Sequence, residues 1–222
     1  MKPQSVMIFS EFDMDLNERI RTFTSRAEAV AATVTPVAGV QQALEHIVTR
    51  CVDKGACQTL GSGCEHPLSR EAADLCLLEE WSKIIAAPGL TTEELTSLTD
   101  LCRPRGIRLV DTGLHSHLGG VDIGVTWAQY GIAENGTLVL DSSREEVRLA
   151  GMISEIHAVL LAASTLYATA EDLLEPLTRL FGNGPNYTAF ITGASRTADI
   201  ERVLALGVHG PLELHVYIVQ DS

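Results

Sequence analysis

The sequence predicts a three-layer α/β fold, in which helices cover both faces of a mainly parallel sheet. Six apolar runs between residues 83 and 219 are too short to form good helices. Between most of these runs lie helical segments that begin with recognisable caps. Strands that alternate with helices form parallel sheets whose two faces are both covered. The chain of 222 residues is long enough for one domain with a sizeable core.

The N-terminal part of the chain is predicted to be helical. Apolar residues recur at spacings of three and four from Leu16 to Val30, which is the pattern of an amphipathic helix. The same pattern over residues 39–53 predicts a second helix. We therefore expect an N-terminal helical extension over residues 1–38 and one α/β domain over residues 39–222.

The predicted strands follow in chain order. They are KIIAAP (83–88), IRLVDTG (107–113), GTLVLD (136–141), IHAVLLAA (156–163), TAFITG (188–193) and LHVYIV (214–219). Helix starts are predicted by three capping boxes, Thr91 to Glu94, Ser143 to Glu146 and Thr169 to Asp172. Helix ends are predicted at Gly106 and Gly207. Because open α/β sheets bind ligands at the carboxyl ends of their strands, the turns after these strands are the candidate sites.

Composition and charge exclude several classes of function. The formal net charge is −13 and no run of five basic residues occurs, which disfavours a nucleic-acid partner. The N-terminus lacks the apolar core of a signal peptide, and the longest apolar runs are too short to span a bilayer. A cytoplasmic protein without membrane insertion is therefore expected. The five cysteines contain no C-x-x-C pair, so they are interpreted as reduced thiols that bind neither zinc nor an iron–sulfur cluster.

The turn AENGT joins an apolar stretch to a predicted strand. Glu134 precedes Asn135 and Gly136, a dipeptide typical of tight turns. Spacing alone favours a polar hairpin tip with Glu134 in water. The alternative is a nucleophile or general base at the mouth of a cleft, with Thr137 and the turn amides nearby.

The turn GASRTADIE, after the TAFITG strand, concentrates polar groups. A strand, Gly193 and a helix N-terminus would together present free amides to an anion. Arg196 could bind a carboxylate or phosphate through two hydrogen bonds, with Ser195 and Thr197 as hydroxyl donors. The alternative is an ordinary helix cap, in which Asp199 complements the helix dipole.

Histidines supply the remaining candidates. His209 lies between two glycines, where it is either aimed into a site as an acid, base or donor, or hydrogen-bonded within a turn. His115 and His117 would point the same way in an extended chain, as metal ligands can, with Asp111 or Asp122 as a source of oxygen. Two histidines without a located third ligand are a weak metal site, so no bound metal is predicted.

Two ordered motifs resemble those of the LUD domain family. They are GVTWAQYGIAENGTLVL (124–140) and ITGASRTADIERVLALGVHGPLELHVYIV (191–219), and the succession of SRTADIE and GVHGP is specific. Within the family the chain most resembles the lactate utilisation protein C group, also called the YkgG group, over about residues 80–220. The resemblance implies a fold like that of ribose-5-phosphate isomerase, glucosamine-6-phosphate deaminase and the CoA transferases. It also implies a part in the oxidation of L-lactate to pyruvate beside iron–sulfur partner proteins, which carry the clusters, while this chain binds no cofactor.

One motif departs from the family pattern. Members usually read Glu/Asp-Thr-Gly-Thr where this chain has Glu134, Asn135, Gly136 and Thr137. The Glu-Asn-Gly triplet resembles family I CoA transferases, whose glutamate attacks an acyl-CoA, although Ala133 replaces the serine of that motif.

Three hypotheses follow for the function. The first, which we favour, is a component of a lactate utilisation system that binds a small anionic ligand. The second is a stand-alone CoA-transferase-like or isomerase-like enzyme that uses Glu134, and the third is a scaffold without a ligand. Under the first hypothesis, we expect Ser195, Arg196 and Thr197 to hold the anion, oriented by Asp199, across one cleft from Glu134 and His209.

Overall fold

The computed structural model describes residues 14–54, 83–182, 186–194, 196–197, 205–206 and 210–220. The described helices are α1 (Leu16–Ala29), α2 (Val40–Asp53), α3 (Thr92–Cys102), α4 (Glu145–Ile153) and α5 (Leu174–Phe181). The strands are β1 (Ala32–Val37), β2 (Ile84–Ala86), β3 (Arg108–Val110), β4 (Val121–Ala128), β5 (Tyr130–Ile132), β6 (Thr137–Asp141), β7 (Ser154–Ala162), β8 (Leu166–Tyr167), β9 (Thr188–Ile191), β10 (Arg196–Thr197), β11 (Ala205–Leu206) and β12 (Glu213–Val219). Short 3-10 helices lie at Arg103–Arg105, Leu114–His117, Ala163–Thr165 and Glu171–Leu173.

A six-stranded parallel sheet forms the centre of the fold. Its strand order is β1-β12-β7-β4-β2-β3, and every described pairing in it is parallel. The central strands β4 and β7 are buried along almost their whole length, as expected for strands covered on both faces. The predicted mainly parallel sheet is thus confirmed, and each of the six predicted apolar runs contains a strand.

Different layers cover the two faces of this sheet. On one face, α2 and α3 pack on alternate residues of the strands, such as Ile156 and Leu160 of β7. On the other face, Val159 and Leu161 pack against α1 and a second sheet. Helix α4 lies on this second face, where it packs so closely that a Cβ added at Gly124 would lie 2.1 Å from the carbonyl oxygen of Ala150. The predicted three-layer arrangement with helices on both faces is therefore confirmed.

The second sheet contains four short strands in the order β8-β5-β6-β9. Strands β5 and β6 form an antiparallel hairpin, and β6 pairs antiparallel with β9. The strand predicted from TAFITG therefore belongs to this second sheet and not to the parallel one.

Two strands of the parallel sheet, β1 and β4, were not predicted. The segment Ala32–Val37, which falls in the expected helical extension, forms edge strand β1, and Val34 pairs with Val216 of β12. Burial alternates from Ala32 to Val34, but the helical stripe that ends at Val30 obscured that short pattern in the sequence. Strand β4 was missed because polar residues interrupt its apolar run.

The predicted helix caps have mixed outcomes. The capping box of Thr91 and Glu94 is confirmed, and Thr169 and Asp172 exchange the reciprocal hydrogen bonds of the same motif. The left-handed glycine at Gly106 is also confirmed, whereas Gly207 lies outside the described residues. The box at Ser143 and Glu146 is wrong.

Glu146 has a different role from the predicted one. Helix α4 follows Arg144, which makes no side-chain cap. The Glu146 carboxylate instead accepts the backbone N–H groups of Gly113 and Leu114, each at 3.0 Å. Glu146 therefore binds the 3-10 helix that follows β3, although Leu114 of that helix is 32 residues away in the chain.

An ion cluster, here called the Lys54 cluster, lies at the amino ends of the parallel strands. Lys54 Nζ is 2.8 Å from Asp122 Oδ1 and 3.0 Å from Glu155 Oε2, and the Lys54 and Asp122 side chains are only 5% and 3% exposed. The second Asp122 oxygen accepts the N–H of Ile84 at 2.7 Å. Burial alone would lower the pKa of Lys54, but its hydrogen bonds to the two carboxylates outweigh that effect and raise it. The cluster ties the end of α2 to the starts of β2, β4 and β7.

The structure describes two of the five cysteines. Cys51 and Cys102 are free and buried, and burial raises the pKa of their thiols to about 12 and about 11. Cys57, Cys64 and Cys76 lie outside the described residues. Within the described ranges, no helix combines the length and apolar character needed to cross a membrane.

Candidate functional site

The turn that carries Glu134 is a hairpin tip, as spacing alone predicted. It joins β5 to β6, and Glu134 and Asn135 are exposed. Glu134 Oε1 accepts the N–H of Ala170 at 2.8 Å, while Asn135 Oδ1 accepts the N–H of Thr137 at 3.1 Å. The Glu134 carboxylate therefore holds the loop that precedes the Glu171–Leu173 helix. Its catalytic role stays a prediction.

The structure brings the two motif turns together. Thr137, at the start of β6, lies 2.7 Å from Thr192, at the end of β9, between their hydroxyl oxygens. Gly136 and Gly193 both have positive φ, at 69° and 82°. Both glycines also press against the end of α1: an added Cβ would lie 2.5 Å from Ala27 N at Gly136, and 2.4 Å from the carbonyl oxygen of Val30 at Gly193. These two predicted ligand-binding glycines thus have a packing role.

The paired turns lie at the amino ends of the parallel strands, not at the carboxyl ends as expected. Val30, which Gly193 contacts, comes two residues before β1 begins. The cavity beside Gly193 is lined by residues that precede or begin β7 and β12, among them Met152, Pro211 and Leu214. The expectation failed because β9 belongs to the second sheet, so the rule for parallel strands does not apply to it.

This cavity, here called the His157 cavity, has a volume of about 310 Å³. His157 of β7 lines it and is only 1% exposed. Its Nε2 lies 2.8 Å from Thr126 Oγ1 on the neighbouring strand β4. Burial lowers the pKa of His157 to about 4, so the ring is neutral at physiological pH. Sequence reasoning gave this residue no role, although a histidine inside the apolar run IHAVLLAA was a signal.

The neutral His157 ring predicts a dependence of stability on pH. The unfolded chain binds this proton below about pH 6.5, whereas the folded chain binds it only near pH 4. The contribution of the ring to stability is therefore complete above about 6.5 and is lost as the pH falls towards 4. We expect the free energy of unfolding to fall by about 1 kcal/mol between pH 7.5 and 5.5.

Urea unfolding at the two pH values measures this loss, and His157→Gln is the control. The variant should lose clearly less stability over the same interval. In ¹⁵N-histidine NMR spectra, the ring signals of His157 should not titrate between the two pH values. An equal loss in both proteins, or titration of those signals near pH 6.5, would contradict the assignment.

The turn around Arg196 is described only in part. The backbones of Arg196 and Thr197 form strand β10, which pairs antiparallel with Leu206 and Ala205 of β11. A helix N-terminus was predicted at this point, and that prediction is wrong for these two residues because they close a short β-ribbon. The candidates Ser195, Asp199 and His209 lie outside the described residues. Their contact with an anion stays a prediction.

His115 and His117 are not arranged as the metal hypothesis assumed. Both lie in the 3-10 helix Leu114–His117, in which residues two apart point to different sides. His115 Nε2 lies 3.0 Å from Glu145 Oε2, and Asp122 belongs to the Lys54 cluster. In the part of the chain that the structure describes, no three His, Cys, Asp or Glu side chains are grouped as metal ligands.

Comparisons with known proteins give consistent matches. The model of the LUD domain matches residues 20–219. The protein NMB1437 of Neisseria meningitidis serogroup B is 37% identical over 113 residues, which are 50% of this chain and 48% of that protein. Lactate utilization protein C of Shouchella clausii is 35% identical over 103 residues, which are 46% of this chain and 45% of that protein. The chain thus spans about half the length of the curated relatives that it matches.

One solved structure has the same fold. It is a DUF162 family protein from Deinococcus radiodurans, with a TM-score of 0.55 and 19% sequence identity. The superposition covers 93% of this chain and 99% of that one. At this level of identity, the likeness supports the fold and nothing further.

Proposed function

Because this chain belongs to the LUD domain family, we propose that it is a cytoplasmic component of a lactate utilisation system, in which it supports the oxidation of L-lactate to pyruvate. The observation that carries the proposal is the match to a relative named Lactate utilization protein C. That match spans only part of each chain, so lactate oxidation by the whole assembly is proposed for this chain and is not shown by the match.

The proposed reaction needs an electron acceptor. Oxidation of lactate to pyruvate releases two electrons and two protons, so the acceptor must take both electrons. The cysteines of this chain form no C-x-x-C pair, and Cys51 and Cys102 are buried thiols with raised pKa values. The resemblance to the lactate utilisation proteins implies iron–sulfur partner proteins, so we assign the electrons to their clusters and ligand binding or assembly to this chain.

We place the small anionic ligand, a carboxylate of the lactate or pyruvate class, at the turn of residues 193–197. The hydrogen bond between Thr137 and Thr192 fixes the residue that precedes this turn beside the Glu134 turn, which supports a shared site. Arg196 supplies the positive charge that a carboxylate requires. We do not favour the alternative use of Glu134 as a nucleophile, because its carboxylate accepts the Ala170 N–H and so has a structural role.

A deletion strain complemented with variants tests the proposal. We expect the deletion to abolish growth on L-lactate but not on pyruvate, and the tagged protein to recover iron–sulfur proteins from lactate-grown cells. Arg196→Ala should lower lactate-dependent oxygen uptake about tenfold or more, since it removes a charge-assisted hydrogen bond. The matched control is Arg179→Ala on α5, which removes an exposed arginine paired with Glu175 and should behave as wild type.

Each part of the proposal can fail separately. Unchanged growth of the deletion strain on L-lactate would contradict the role in lactate utilisation. Full complementation by Arg196→Ala would contradict the ligand site while leaving that role intact.

A further inference from the structure

The mouth of the His157 cavity carries two large apolar side chains that are open to solvent. Phe190 is 53% exposed and Met152 is 62% exposed, and both line the cavity. They come from different elements, since Phe190 lies on β9 and Met152 on α4. Aromatic side chains stack on other rings, and thioethers make favourable contacts with them.

The floor of the cavity offers a polar group without a complete set of partners. The Nε2 atom of His157 is bonded to Thr126, but Nδ1 has no hydrogen-bond partner among the described residues. Nδ1 is not among the fully buried atoms without a partner, so it can bond water or a ligand in the cavity. A ligand in the cavity could complete the hydrogen bonding of Nδ1.

The character of the walls indicates which ligands fit. The described lining residues carry no formal charge, and most are apolar, including Ile191, Pro211 and Leu214. Burial holds the pKa of His157 near 4, so the floor is also uncharged. A bare ion would lose its hydration here without gaining a charged partner from these walls. The volume of about 310 Å³ is at the small end of ligand pockets, and it exceeds what a three-carbon acid would fill.

We propose that the His157 cavity binds an uncharged planar heteroaromatic ring of nicotinamide or nucleobase size. The ring lies against Phe190 and Met152, and a ring nitrogen or carbonyl group at its edge bonds His157 Nδ1. The cavity borders the turn proposed for the anion, since Gly193 and Ala194 line it, but the ring site does not depend on the lactate role. It would give this chain a means of holding the ring end of a nucleotide-type ligand.

Titration of the full-length protein with nicotinamide and with adenine tests the site. The readouts are ligand-observed NMR and the ring ¹⁵N shifts of His157. At least one probe should saturate and shift the His157 signals, whereas cyclohexanecarboxamide, which matches nicotinamide in size but is not planar, should bind about tenfold more weakly. Phe190→Ala should weaken the binding about tenfold. The matched control is Leu174→Ala, an exposed apolar residue on α5 that does not line the cavity, and it should leave binding unchanged.

Three results would overturn the proposal. The first is that neither probe saturates at millimolar concentration. The second is binding that leaves the His157 signals unmoved or is unaffected by Phe190→Ala. The third is that cyclohexanecarboxamide binds as well as nicotinamide, which would identify a general apolar pocket. Because no lactate assay is involved, these outcomes do not depend on the success of the growth experiment.

Discussion

Replacement of Asp122 by alanine is expected to lower the free energy of unfolding by about 3–5 kcal/mol. The substitution removes the carboxylate at 2.8 Å from Lys54 Nζ, in a site where both side chains are almost completely buried. It also leaves the N–H of Ile84 without the acceptor that it has at 2.7 Å. Lys54 keeps Glu155 at 3.0 Å, but its charge stays desolvated with one carboxylate fewer beside it, which is costly in a buried site.

Urea denaturation followed by circular dichroism measures the effect. Asp100→Ala is the matched control, because Asp100 makes an exposed ion pair with Arg103 at 3.8 Å on the surface of α3. That substitution should change the stability by less than about 1 kcal/mol. A loss of similar size in both variants would show that the Lys54 cluster does not hold the amino ends of the strands together.

Gly136→Ala is expected to destabilise the protein by at least about 3 kcal/mol. The φ of Gly136 is 69°, a conformation that disfavours any side chain. The added Cβ would also lie 2.5 Å from the backbone nitrogen of Ala27 and 2.8 Å from the carbonyl carbon of Arg26. These atoms belong to the backbone of α1, so the clash is relieved only if the helix shifts away from the second sheet.

Gly106→Ala separates the two causes. Gly106 has nearly the same φ, 66°, but an added Cβ there meets nothing within 4 Å. It should therefore show only the cost of the left-handed conformation, about 1–2 kcal/mol. Equal losses of unfolding free energy for Gly136→Ala and Gly106→Ala would contradict the close packing of the hairpin tip on α1.

The sequence predicted those parts of the fold that depend on local patterns. The strands around Ile85, Val139 and Val216 lie in short apolar runs, and the Thr91 cap needs only a partner three residues away. Strand β4 could not be found in this way. The buried Asp122 of β4 is stabilised by its ion pair with Lys54, which is 68 residues away. No local sequence pattern indicates a partner so distant in the chain.

For the candidate site, the sequence indicated the two motif turns but not their position in the fold. The motifs led to two turns that do meet, through Thr137 and Thr192. The edge of the sheet at which they meet depends on β9 pairing with β6 and not with a parallel strand. His157 was not predicted as a site residue for a similar reason. Its partner Thr126 lies on another strand, and its cavity is formed by three separate segments of the chain.

The position of β12 has a consequence for synthesis on the ribosome. This strand is the last described element of the chain, yet it lies inside the sheet, between β1 and β7. Until residues 213–219 leave the exit tunnel, β1 has no partner and β7 has an open apolar edge. The sheet therefore cannot close before β12 has left the tunnel, and until then chaperones and misassembly compete for the nascent chain.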